Sequence, residues 1–249
     1  MLLENKVAVM YGAGGSIGGA VARAFTREGA RVFLAGRTKE KLDKVADEIR
    51  SNDRVAETAV IDALDEEAVD KYVDAVVEQA GHIDISFNLI SYGDVQKPLL
   101  EITVEDFLQP IMNAMRTQFL TGRAAARHMV RRGSGVILAF GGDGPQTLPG
   151  LGGFKVALDA IEGLRRQWAV ELGRQGIRVV TLKTGGIAES LPDAEPGREE
   201  IIAGIGEATL LKRAATLADV GNVAAFVASD YARTLTATDV NISCGALMD

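Results

Sequence analysis

The sequence predicts a doubly wound α/β fold, with one parallel sheet of about seven strands covered by helices on both faces, in a single domain spanning 1–249. Three observations carry this. Short β-branched runs alternate with longer helical patterns along the whole chain. Those runs are apolar almost throughout, as strands buried on both faces are. A chain of 249 residues that is 47% hydrophobic can fill one large core and does not demand a second.

The strands follow in order. "KVAVMYG" (6–12) comes first, then "ARVFLAGR" (30–37) and "RVAETAVID" (54–62). "IDISFNLIS" (83–91), "SGVILAFGG" (134–142) and "IRVVTLKTGG" (177–186) complete six, and "DVNIS" (239–243) is a weaker seventh. Helical patterns lie near 17–29, 38–51, 65–80, 103–131, 153–173 and 216–229. Strand–helix alternation of this kind builds right-handed crossovers. One long stretch, 185–208, has no clear period. It is either a substrate lid beyond the carboxyl end of a strand or a surface loop with a short helix.

Composition narrows the function classes. Lys and Arg total 27 against 34 for Asp and Glu, a net charge of −7, so a nucleic-acid partner is not expected. No apolar run approaches the roughly 18 residues of a spanning helix, so no membrane role is expected. The N-terminal "MLLENKVAVM" reads as a first strand and not as a signal peptide. Cys244 is the one cysteine, which fits a reducing cytoplasm. With only His82 and His128 beside it, a His/Cys metal site is not expected.

After the first strand comes "YGAGGSIGGAVA", from Tyr11 to Ala22. Small residues there let backbone N–H groups approach a pyrophosphate, and the helix that follows turns its positive end to the same anion. Standing between strand one and an Ala-rich helix, the turn reads as a dinucleotide site of Rossmann-like type.

These residues resemble the short-chain dehydrogenase/reductase family. Its pattern Thr-Gly-x-x-x-Gly-x-Gly falls on Tyr11-Gly12-Ala13-Gly14-Gly15-Ser16-Ile17-Gly18, with Tyr11 for Thr and Ser16 for the middle Gly. Ser-Ile at 16–17 also resembles the enoyl reductases of that superfamily. "IDISFNLIS" is similar to the family strand ending Asn-Asn-Ala-Gly, with Asn88 on the first Asn. "GIRVVTLKTGGI" is similar to its Pro-Gly segment, with Thr184 for Pro and Gly185 kept. The stretch from "LLKRAATLADVG" to "VNISCG" matches the family's C-terminal part. The resemblance implies an NAD(P)(H) site formed by Gly12, Gly15, Ser16, Ile17, Gly18, Arg37, Asp62, Asn88, Gly185 and Ile187. NAD-selective members end the second strand with an acid. Here "LAGRTKEK" has Arg37 at the tip and Lys39 nearby, which points to NADP(H) over NAD(H). Asp62 falls where the family contacts the adenine amino group. The family's usual oligomer is a tetramer formed through the two long helices, so a homo-oligomer, tetramer or dimer, is expected.

The family's chemistry uses a Tyr as proton donor, a Lys that lowers its pKa, a Ser that orients the carbonyl and an Asn that holds a relay water. Asn113, in "FLQPIMNAMRTQF", falls on the Asn. Gly141 falls on the Ser, Phe154 on the Tyr and Leu158 on the Lys. Counting forward from "GVILAFGG" and back from "WAVELGRQGIRVV" gives the same register. A rival register puts Lys155 of "KVALDA" on the Lys; it needs an insertion inside a helix and puts Leu151 on the Tyr. The enoyl-reductase spacing puts Leu148 there. No register supplies a phenol. Phe154, Leu158, Ile161, Leu164, Trp168 and Leu172 form an apolar stripe, with Lys155 beside it. Lys155 is either a solvated surface lysine or a cation leaning toward a nicotinamide ribose. The expectation is a dinucleotide-binding scaffold whose carbonyl/alcohol oxidoreductase activity is lost or strongly reduced. The alternative is an active NADP-dependent enzyme with a displaced proton donor: Lys155, Tyr92 or Asp143.

Overall fold

The computed structural model describes residues 1–141, 147–192, 194 and 197–248. Seven parallel strands form one sheet: β1 (Val7–Tyr11), β2 (Arg31–Gly36), β3 (Ala56–Val60), β4 (Ile85–Asn88), β5 (Gly135–Phe140), β6 (Ile177–Lys183) and β7 (Thr238–Asn241). Their order is β3-β2-β1-β4-β5-β6-β7, reversing direction between β1 and β4. The helices are α1 (Ser16–Arg27), α2 (Lys39–Arg50), α3 (Glu66–Ala80), α4 (Val104–Arg132), α5 (Gly152–Leu172), α6 (Arg198–Glu207) and α7 (Leu217–Ala228). Each predicted strand is present, but β3 and β4 stop sooner than their apolar runs do. The residues beyond Val60 and Asn88 leave the ladder at the sheet's carboxyl edge, where a doubly wound fold places its ligand.

Strand alternation divides the core. Ala8, Met10, Val180 and Leu182 face one way, into a cluster with Val21 and Phe25 of α1 and Val220 and Ala224 of α7. Val9, Tyr11, Ile177 and Val179 face the other way, with Val73 of α3, Ala125 of α4 and Ala169 of α5. Gly221 lets α7 lie directly on α1, since a Cβ there would sit 2.8 Å from that of Ala24. Within 185–208 a 3-10 turn (Ala188–Ser190) precedes α6, none of whose residues is buried. Among the described residues no helix is long and apolar enough to cross a membrane.

Three helix starts are closed by side chains. Asp65 accepts from the Ala68 N–H, Thr103 from Asp106, and Thr216 and Asp219 form a reciprocal capping box. The start of α1 differs. Its cap is Gly15, with no side-chain hydrogen bond and no acidic residue in the first turn.

Candidate functional site

That uncapped start of α1 is where the glycine-rich turn ends. Gly12 has φ +74°, in the left-handed region, and a Cβ there would lie 2.6 Å from the Leu89 carbonyl oxygen. A Cβ at Gly18 would lie 2.4 Å from the Gly12 oxygen. Both glycines are needed for the turn to close at all. Gly15 and Ser16 are exposed at the helix tip, and the partly buried Ile17 packs against the core. Orphan N–H groups with no anion of the protein's own fit a pyrophosphate.

A cleft of about 320 Å³ opens beside this turn, between the ends of β1, β2, β3 and β4. Arg37, Thr38 and Lys41 line one wall, Asp62 and Leu64 another, and Ser91 and Asn113 the far end. Asp62 Oδ1 accepts the Leu64 N–H at 3.0 Å, which fixes the carboxylate at the cleft rim. Of the two cations singled out in "RTKEK", Arg37 is in the cleft wall and Lys39 is not. Lys39 pairs with Asp43 one turn along α2. Lys41 stands in its place, with its Cβ 2.9 Å from where a Cβ on Gly14 would be.

A second candidate region, apart from the residues that line the cleft, is apolar. Tyr92, Ala114, Ala139, Ala157, Leu158 and Ile161 form a small buried cluster, with Phe154 packed against it. Gly141 has φ +94°, and a Cβ there would lie 3.2 Å from Leu158 Cδ2 and 3.9 Å from the Tyr92 hydroxyl oxygen. The structure therefore brings Gly141, Phe154 and Leu158 together. Tyr92 donates its hydroxyl to the Phe140 carbonyl at 2.9 Å and accepts from Gln118 Nε2 at 3.3 Å. Burial pushes its phenol up to about 12, with the Gln118 hydrogen bond acting the other way. Asn113 Nδ2 donates to the Tyr92 carbonyl at 2.9 Å, which holds the chain beside the cluster.

The remaining candidates divide. Lys155 Nζ pairs with Asp159 Oδ1 at 2.7 Å along α5. Asn88 donates to Thr121 Oγ1 at 3.2 Å and accepts from the Ile90 N–H at 3.0 Å, so both ends of its amide are used inside the protein. Gly185 meets the C-terminal turn, where a Cβ would lie 2.6 Å from that of Ala246. The side chain of Ile187 belongs to the main core, leaving only its backbone to face a ligand. The Ile205 side chain of α6 rests on Gly186, and Glu189 accepts the Leu217 N–H at 2.7 Å, tying 185–208 to α7. Asp143 lies outside the described residues.

Two features escaped the sequence reading. The stripe on α5 is not wholly apolar: Leu164 is only half-buried, whereas Glu162 and Arg165 are buried and paired at 2.5 Å. Lys183, at the end of β6, is 3% exposed and pairs with Asp239 Oδ2 at 2.8 Å. A charge inside an apolar run was the only available signal.

Residues 12–246 match the family model described as enoyl-(acyl carrier protein) reductase. An uncharacterised oxidoreductase of Bacillus subtilis, YxbG, is 31% identical over 98% of this chain and 92% of its own length. The meso-2,3-butanediol dehydrogenase of Serratia marcescens is 29% identical over 99% and 96%. Among solved structures, the citronellol catabolism dehydrogenase AtuB of Pseudomonas aeruginosa superimposes with a TM-score of 0.84 at 28% identity, covering 98% of this chain and 96% of that one. An NAD+-bound xylitol dehydrogenase reaches a TM-score of 0.90 at 24% identity over 98% and 100%, a likeness of fold.

Proposed function

The chain belongs to the short-chain dehydrogenase/reductase family, and from that premise we propose that it binds NAD(P)(H), with NADP(H) preferred, and that its carbonyl/alcohol chemistry is lost or strongly reduced. The family binds NAD(P)(H) and carries out oxidoreductase chemistry. What this chain retains is the binding half. One observation carries the second part of the proposal. The Leu158 side chain sits buried in an apolar cluster against Gly141 and Phe154, so three adjacent positions lack a hydroxyl, a phenol and an ammonium. Phenylalanine cannot pass a proton, leucine cannot shift a pKa, and glycine cannot hold a carbonyl with a side chain. A positioned general acid is worth roughly 10²–10⁴ in rate. The three roles act as a unit, so their losses do not simply multiply.

When bound, the dinucleotide would supply or accept hydride. Gly12, Gly15, Ser16 and Gly18 would hold its pyrophosphate, Asp62 its adenine, and Arg37 with Lys41 a 2′-phosphate. Asn113, held by the Tyr92 carbonyl, would close the far end of the cleft. The second reading, an active enzyme with a displaced donor, finds less support in Lys155 and Tyr92. Lys155 is held by Asp159, and the Tyr92 proton is given to a backbone carbonyl and is hard to remove near neutrality. Fluorescence titration with NADPH and NADH, followed by single-turnover assays on a panel of ketones, tests both parts. Tight binding without appreciable turnover is the expected result. Turnover abolished by Lys155→Ala would establish the second reading instead.

We infer also that the protein is a cytoplasmic homo-oligomer joined through α4 and α5. Leu108, Met112 and Phe119 on α4, with Val156 and Val170 on α5, leave apolar surface exposed on those helices. Sedimentation velocity would decide the oligomeric state.

A further inference from the structure

A doubly wound sheet offers a dinucleotide two mononucleotide halves, one on each side of the point where the strand order reverses. Here that point lies between β1 and β4. The two sides are not alike. The cleft of about 320 Å³ is lined from the ends of β1, β2, β3 and β4, and by Asn113 and Thr117 of α4. Among the described residues that line it, none comes from β5, β6, α5 or α6. Its volume is at the low end of the roughly 300–1,000 Å³ range for drug-sized ligands, and a dinucleotide is larger than those. Its charges suit one nucleotide: Arg37 and Lys41 for phosphate, Asp62 for a base amine.

Past the switch point, protein takes up the space. The Tyr92 side chain is 5% exposed and shares a cluster with Ala139, Leu158 and Ile161. Its hydroxyl oxygen comes within 3.9 Å of where a Cβ on Gly141 would be. That hydroxyl is already used inside the protein, by the Phe140 carbonyl and by Gln118. At the end of β6, a Cβ on Gly185 would lie 2.6 Å from that of Ala246. One on Gly186 would lie 3.2 Å from Ile205 Cδ1, so α6 covers the backbone there. The Ile187 side chain is buried in the main core. A nicotinamide ribose laid over this side would exchange water for Gly141, Phe154 and Leu158, none of which offers a side-chain hydrogen bond. Polar groups that lose water without gaining a partner cost affinity.

We propose that the protein takes its nucleotide by the adenosine half alone. The adenine, the ribose 2′-phosphate and the pyrophosphate are held, and the nicotinamide end stays in solvent. The ligand class is a 2′-phosphorylated adenosine diphosphate, and NADP+ and NADPH are held alike. This inference rests on the reading that the cleft takes NAD(P)(H) and deepens it. It supplies a second reason for weak turnover, since the redox-active ring has no seat.

The test uses the full chain and three probes: NADP+, NADPH and 2′-phosphoadenosine 5′-diphosphoribose, which is NADP+ without its nicotinamide. Isothermal calorimetry measures all three, because it reads binding whether or not the nicotinamide changes its fluorescence. The expected result is that neither dinucleotide binds more than about fivefold tighter than the nicotinamide-free probe. A larger advantage for either one overturns the inference and leaves the binding proposal standing. Saturation-transfer NMR on NADP+ is the second readout. The adenine ring protons should take up saturation from the protein, and the nicotinamide ring protons should not. Comparable saturation of both rings overturns the inference and again leaves the binding proposal standing. Failure of all three probes to bind overturns both.

Discussion

The glycine-rich turn beside the cleft and the cluster around Gly141 are built by different means. Around Gly12 and Gly18 the site is made of backbone: a left-handed turn, a close approach to Leu89 and an uncapped helix start. Around Gly141 it is made of side chains, and those side chains are apolar. A backbone site is tied to the packing of β1, α1 and β4, so it persists as long as the fold does. A side-chain site has no such tie. Its residues can be exchanged for Gly, Phe and Leu while the helix and strand that bear them stay in place.

Substitutions can break this contrast from either side. The largest effect is expected from Gly18→Val. Its Cβ has no room beside the Gly12 carbonyl, so NADPH binding should fall by more than about 100-fold, and overpacking should cost about 1–3 kcal/mol or more of stability. Calorimetric titration and a denaturant melt would read both. Binding left intact would mean that the turn is not where the dinucleotide sits.

The next largest concerns the apolar half. Leu158→Lys alone buries an unpaired ammonium at a position 8% exposed, and a loss of about 3–5 kcal/mol is expected in urea unfolding. The triple variant Gly141→Ser, Phe154→Tyr, Leu158→Lys should gain reductase activity of roughly 10²-fold or more over wild type. Serine at 141 would sit at φ +94° and crowd residue 158, so the gain should stay below that of an intact family site.

Smaller still is the effect at the nucleotide's ribose. Arg37→Ala should weaken NADPH by about tenfold or more and leave NADH nearly unchanged, a charge-assisted pair being worth roughly 1.5–3 kcal/mol. Lys41→Ala should follow the same pattern more weakly, and Lys39→Ala should not follow it. Equal losses for both cofactors at Arg37 would remove the 2′-phosphate assignment.

The smallest is a pH effect. The Tyr92 phenol is raised in the fold to about 12, so the stability it lends is complete below its unfolded value near 10 and disappears as pH rises toward about 12. Melting temperature should therefore fall across that window. Tyr92→Phe should flatten the fall without removing it, because burial raises Tyr11 and Tyr72 as well.

The sequence made the backbone half legible and half of the rest. Strand and helix periodicity, with glycines between, is enough to locate a turn that only glycine can make. That Gly141 comes against Leu158, with Phe154 on the same cluster, was also readable, because the elements on both sides of them are regular. Lys41 was not, since neighbouring charges in "RTKEK" diverge by 100° at each step of α2 and only the helix phase tells which one faces the cleft. Glu162, Arg165 and Lys183 were missed for a related reason. A charged residue is normally solvated, and nothing local reveals that tertiary packing will bury these three.

The seat of α7 on α1, through Gly221 against Ala24, bears on the order in which the protein acquires its function during synthesis. Residues 16–27 leave the ribosome early, yet the helix that buries their back emerges some 200 residues later. Until residues 217–228 arrive, α1 has the sheet and α2 but not the helix that covers Gly221's face, and the turn that depends on its direction lacks that support. On the proposed function, affinity for the nucleotide is expected to appear only after α7 has emerged.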